Sequence, residues 1–171
     1  MKKLLLASAV ALSSIATVYA EENKIYVQAG SSDIEDVQFL SLAIGLENQI
    51  SQNAFVAIGG EFLNNLDLPS DNSEMAFGLD TRIGFYFGND DFAVKPYVGA
   101  GLGAFIYDYK MCGYSYCMEA SGSELYTKLN VGVEAEIKKT VSLYAQTGMF
   151  LFPSLSGSDM SQTEFGLRVK F

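Results

Sequence analysis

The reactive side chains of this 171-residue chain are two cysteines, twenty carboxylates and eleven bases, with no histidine and no tryptophan. The lack of histidine excludes Ser-His-Asp triads, histidine metal sites and histidine pH switches. Cys112 and Cys117 stand in the run Met111-Cys112-Gly113-Tyr114-Ser115-Tyr116-Cys117-Met118. Two thiols fall short of the four ligands of a structural zinc site. In an oxidising compartment they are expected to form a disulfide closing a loop tip, either as a rigid binding hairpin or as a staple against proteolysis. No acids follow the calcium-loop spacing D-x-[DN]-x-[DN]-G. Gly99, Gly101 and Gly103 form G-x-G-x-G on one strand face. They lack the dinucleotide spacing and a following helix, and are read as making interior space. No catalytic, cofactor-binding or metal residues are expected.

The remaining chemistry lies in charges, and their placement depends on the elements that carry them. In Leu125–Ile137, apolar Leu125, Leu129, Val131 and Val133 alternate with Lys128, Asn130, Glu134 and Glu136. That is a strand with one apolar and one polar face. The same alternation runs through 74–88, 92–107 and 162–171. Eight strands are expected: 24–31, 37–47, 53–63, 74–88, 92–107, 123–137, 141–151 and 162–171. Asn48–Gln52, Asn89–Asp91 and Lys138–Thr140 are short connections. Asn64–Ser73, Asp108–Gly122 and Phe152–Ser161 are longer and polar, and Ser32–Asp36 is a short exception among them. Pro96 cannot donate to a ladder and is expected at a bulge or ladder end.

The polar face mixes glycine and alanine with Arg, Lys, Glu and Tyr, as a tight interior needs. Several strands reach the roughly 9–11 residues of a tilted membrane span. The expected fold is therefore all-β, an eight-stranded antiparallel up-and-down transmembrane barrel with its apolar face to lipid. Its interior charges are Glu61, Asp80, Glu134, Glu136 and Glu164 against Arg82, Lys95, Lys128, Arg168 and Lys170. The third strand has weak parity, and Glu61 is placed inward by its charge alone. In so narrow a lumen these charges must pair. Carboxylate pairs could in principle do acid–base work, but each of these acids has a matching base, so no enzyme activity is expected.

Lys2 and Lys3, the apolar run Leu4–Val18 and the Val18-Tyr19-Ala20 site read as a secretory signal peptide over residues 1–20. Residues 21–171 then form the barrel domain. Removing two lysines leaves nine bases against twenty acids, a net charge of −11. Such a balance excludes nucleic acid as a partner.

The ending Glu164-x-Gly166-x-x-Val169-x-Phe171 resembles the C-terminal signal that outer-membrane barrels present to the barrel assembly machinery. Lys95-Pro96-Tyr97-Val98-Gly99-Ala100-Gly101-Leu102-Gly103 is similar to a segment of small eight-stranded barrels of the OmpA/OmpX and opacity-protein type. The resemblance implies a protein of the Gram-negative outer membrane, with outer-membrane lipids and lipopolysaccharide as surroundings. It implies a structural or surface-interaction role, with a plugged polar interior and loops open to a host or surface ligand. Two alternatives are a narrow pore for ions or small solutes, and a secreted lipocalin-like barrel. The latter would put Leu125–Ile137 apolar residues inside and Lys128, Glu134 and Glu136 outside.

Overall fold

A computed structural model describes residues 22–66, 68, 72–112, 117–153 and 159–171. The expected signal peptide lies outside them. The strands are β1 (Glu22–Ile34), β2 (Val37–Ser51), β3 (Ala54–Asn65), β4 (Ser73–Phe85), β5 (Phe87–Gly88), β6 (Phe92–Cys112), β7 (Cys117–Ile137), β8 (Val141–Leu151) and β9 (Asp159–Lys170). Chain neighbours pair antiparallel except β4 and β5, which both pair with β6, and β1 pairs with β9. With β4 and β5 sharing one wall position, the ring is a closed barrel of eight strands.

The split between β4 and β5 has a local cause. The β4–β6 ladder ends at Gly84↔Tyr97 and the β5–β6 ladder starts at Phe87↔Val94. Pro96 lies in that gap, where its missing N–H leaves no ladder bond to make. Tyr86, between the two strands, instead donates its N–H to Asn53 O at 2.9 Å. At the other end, β1 and β2 join through Glu35 and Asp36 with φ of 50° and 67°. Two successive left-handed residues make a tight hairpin whose twist matches its strands.

The faces are those of a membrane barrel. Leu129, Val131, Leu143, Phe165 and Leu167 are exposed on the outer wall, while Lys95, Glu134, Glu164 and Arg168 have no accessible surface. A secreted lipocalin-like barrel requires the opposite arrangement, so that alternative falls. Interior room comes from aromatic rings laid over glycines of neighbouring strands. A Cβ at Gly45 or Gly59 would sit 2.6 and 2.2 Å from the Tyr26 hydroxyl, and one at Gly103 2.6 Å from that of Tyr126. Such cross-strand cover compensates for a glycine's missing side chain.

The expected 15-residue loop Asp108–Gly122 is largely strand. β6 and β7 are each 21 residues long and pair continuously to Cys112↔Cys117. Above Ser73↔Asp108 and Thr127↔Leu151 they pair, among the described residues, only with each other. This ribbon stands clear of lipid, so neither face has to be apolar. Hydrophobic alternation, which reports lipid on one side, is silent there.

Candidate functional site

Among the described residues, the lumen is where this fold gathers its buried charges. It is filled in three tiers, numbered upward from the end with the short turns. The lowest tier is built by β2, β6, β7 and β9. Lys95 Nζ lies 2.5 Å from Glu47 Oε1, 3.3 Å from Glu136 Oε2 and 3.4 Å from Glu134 Oε1. Lys170 Nζ lies 3.0 Å from Glu47 Oε1 and also bridges Glu134 and Glu136. Arg168 Nη1 pairs with Glu134 Oε2, and the Ser142 hydroxyl donates to Glu134 Oε1 at 2.7 Å. Lys95 also sits over the Phe55 and Tyr86 rings at 4.2 and 4.5 Å.

The middle tier is organised around Gln28 of β1. Its Oε1 accepts from Arg168 Nη2 at 2.7 Å and Arg82 Nη1 at 3.1 Å. Arg82 Nε donates to Asp80 Oδ2 at 2.5 Å, and Asn130 Nδ2 to Asp80 Oδ1 at 3.3 Å. Lys128 and Glu61 form their own pair, with Nζ 2.7 and 2.9 Å from the two carboxylate oxygens. Glu164 is held differently. It has no ion pair among the described residues and accepts from Tyr144, Ser41, Gln146, Gln28 and Gln162 at 2.6 to 3.1 Å. Five neutral donors serve in place of a cation, so pairing every interior acid with its own base was wrong at this position.

The expected balance of five acids and five bases is also corrected. Glu47, 1% exposed, is a sixth interior acid. It lies near the end of β2, just before the register irregularity at Gln49 and Ser51, where alternation is hardest to follow. The expected polar filling stops short of the outer mouth as well. There Ile34, Phe39, Leu63, Ala76, Phe105, Tyr126, Phe150 and Phe152 form a buried apolar cluster. Phe105 packs edge-on against Phe39 and Phe150 at 6.0 and 5.8 Å. Ala76, Phe105 and Tyr126 share the inward parity of Arg82, Lys95 and Lys128 on their strands, and at this height that inward face turns apolar.

The C-terminal residues divide between the two faces. Glu164 and Gly166 point inward, Gly166 with the Tyr144 hydroxyl 2.7 Å from where its Cβ would be. Val169 pairs with Val27 and Val141, and the Phe171 side chain is 75% exposed on the outer wall. Phe171 exchanges two backbone hydrogen bonds with Ile25, at 2.8 and 3.2 Å. Cys112 and Cys117 face each other across the β6–β7 ladder. Among the described residues, no group of His, Cys, Asp or Glu is placed to hold a metal ion.

The architecture matches solved outer-membrane barrels at low identity. The N-terminal β-barrel domain of Pseudomonas aeruginosa OprF aligns with a TM-score of 0.62 at 13% identity, covering 88% of this chain and 98% of that one. Ail, the attachment invasion locus protein of Yersinia pestis, gives 0.58 at 11% identity, with 87% and 97% covered. A second Ail structure holds the heparin analogue sucrose octasulfate. The outer membrane enzyme PagL gives 0.52 at 12% identity, with 85% and 98% covered. No curated protein matches the chain in sequence. Wall, lumen and closure together are those of a protein resident in the outer membrane, and over residues 4–171 the chain belongs to the outer membrane protein beta-barrel domain family.

Proposed function

We propose that this barrel is a closed, non-enzymatic envelope protein that stabilises the outer membrane and presents its outer ribbon and loops for surface interaction. One observation carries the reading. The lumen is occupied along its length by ion pairs below and by the aromatic cluster above. Water crossing it would have to displace side chains bonded to one another, in a network that leaves only Glu47 Oε2, Asn130 Oδ1 and Gln162 Oε1 as buried atoms without a hydrogen bond among the described residues, and then pass an apolar cap with nothing to bond to. The chain also has no histidine to act as a general base at neutral pH. In planar bilayers the refolded protein is expected to show no steady conductance. A large, steady conductance would replace this reading with the narrow pore.

The outer crown limits the kind of surface partner. Among the described residues, six acids are interior and eight (Asp33, Glu35, Asp36, Glu74, Asp108, Glu119, Glu124 and Asp159) stand on the outer side. Among the described bases, only Lys110 lies on that side, and it pairs with exposed Glu119 at 3.0 Å. A crown of this charge repels sulfated or phosphorylated partners. Contact with lipopolysaccharide phosphates would run through bridging divalent cations.

A further inference from the structure

We propose that the inner face of the β6–β7 ribbon docks an arginine-bearing peptide segment of a partner protein, an inference that rests on the reading of this ribbon as the surface-interacting element. Strand parity carries the lumen face upward into the ribbon. On β6, Lys95, Tyr97 and Phe105 point inward, and Tyr107 and Tyr109 follow on the same side. Opposite them in register stand Gly122 and Ala120. The two tyrosine rings stack, with centroids 5.9 Å apart and planes at 29°. Tyr107 lies over Gly122, where a Cβ would come 2.6 Å from its Cζ. Both tyrosines stay partly exposed, an aromatic shelf above the apolar cap of the lumen.

Carboxylates border the shelf. Glu74 of β4 is the register partner of Tyr107, and Glu124 of β7, the partner of Phe105, lies one inward position below Gly122. Both are partly exposed. Glu74 Oε2 accepts from Asn65 Nδ2 at 2.8 Å. Partial burial, and then the Glu74 carboxylate to which its hydroxyl donates, raise the Tyr109 pKa. A carboxylate has about four acceptor positions, so Glu74 can take a further donor beside these.

The lumen shows what such a set of groups accommodates. Arg82 lies 5.3 Å from the Tyr97 ring centre while bonded to Asp80, and Arg168 lies 4.6 Å from that of Tyr26 while paired with Glu134. Each guanidinium covers a tyrosine ring and turns its edge to a carboxylate. The ribbon repeats the rings and the carboxylates. The chain has two arginines and both are in the lumen, so a third must come from another molecule. Lys110 alternates to the ribbon's other face, where it pairs with Glu119. A planar guanidinium can stack on a ring and still present donors at its edge, which an ammonium cannot do. Tyr107 and Tyr109 are about 6–7 Å apart along the strand, the spacing of alternate side chains on an extended peptide. Eight outer acids draw a basic segment to this end.

The probe is a blocked, fluorescent hexa-arginine peptide, titrated with the full barrel refolded in non-ionic detergent at physiological ionic strength. Hexa-lysine of equal charge is the reference. Hexa-arginine is expected to bind saturably and about fivefold more tightly than hexa-lysine. Tyr109→Ser, on the ribbon and outside the barrel wall, should bring hexa-arginine down to the hexa-lysine affinity and leave hexa-lysine nearly unchanged. Glu74→Gln should weaken hexa-arginine more than Glu119→Gln does, because Glu119 stands on the other face. Gel mobility without boiling identifies the variants that fold, and if Tyr109→Ser does not, the two glutamate variants decide. Equal binding of the two peptides, which is the acidic crown acting through charge alone, would overturn the proposal. So would absence of saturable binding, an arginine preference that survives in folded Tyr109→Ser, or equal losses in the Glu74 and Glu119 variants. Conductance tests the closed barrel separately, so failure of that reading appears in a different measurement.

Discussion

Arg82 is 1% exposed, bonded to Asp80 and Gln28, with its guanidinium 5.3 Å from the Tyr97 ring centre. Its removal would leave the Asp80 carboxylate buried with only an Asn130 amide at 3.3 Å. Arg82→Ala is therefore expected to lower stability by about 3–5 kcal/mol in urea titrations of the refolded barrel. Replacing both partners, Asp80→Asn with Arg82→Met, should recover most of that loss, because no uncompensated charge remains. An Arg82→Ala barrel as stable as wild type would mean that water already reaches this tier. The inward position of Arg82 was legible from strand parity, and so was Asp80 two residues away. The five neutral donors around Glu164 were not, since they come from four strands and only the register brings them together. Glu47 escaped for a different reason: its strand mixes Phe39, Ser41, Ala43 and Gly45 on the inward face, so no polar stripe announces it.

Among the strands, β6 and β7 behave as two elements each, a membrane wall below and a free ribbon above. Alternation marked the wall clearly and missed the ribbon, because a ladder in water is held by its backbone bonds and leaves no hydrophobic signature. The ribbon's register bears on the cysteines. Directly opposed residues in an antiparallel pair have Cα atoms about 4.5–5.5 Å apart. This lies within the roughly 4.4–6.8 Å that a disulfide spans. Cys112 and Cys117 are accordingly expected to be oxidised, and thiol labelling of the denatured, unreduced protein should find no free thiol. Two labelled thiols would refute it. Just after β9, Phe171 turns its aromatic ring to the outer wall. That side chain packs on nothing in the lumen, which supports a role for Phe171 in recognition by the assembly machinery. Phe171→Ser keeps the backbone bonds to Ile25. It should reduce the folded barrel recovered from membranes while changing the stability of refolded protein little. Equal membrane levels would count against that role.

Over the whole molecule the charges are sorted by height. Among the described residues the outer crown is acidic, the lumen holds six acids and five bases, and Lys24, Lys138 and Lys139 gather at the short-turn rim. Composition reported only the net excess of acid, and the closed barrel was needed to divide it among compartments. Sucrose octasulfate, which occupies one Ail structure, is expected not to bind this barrel, even at low salt where charge effects are strongest. Thermal unfolding of the refolded protein with and without that ligand is the check, and a stabilising shift would contradict it. The seam between β1 and β9 gives the barrel an order of events in time. Arg168 and Lys170 ride on the last strand, and their acceptors lie on β1, β2 and β7. Before β9 docks, the other walls carry Glu47, Glu61, Asp80, Glu134 and Glu136 against Arg82, Lys95 and Lys128, so the open trough has an uncompensated negative charge that only solvent can screen. Docking of β9 seals the ring and brings the missing cations in the same motion. Drying of the lumen and closure of the wall are then a single late step, and a chain stalled before it would still be wet inside.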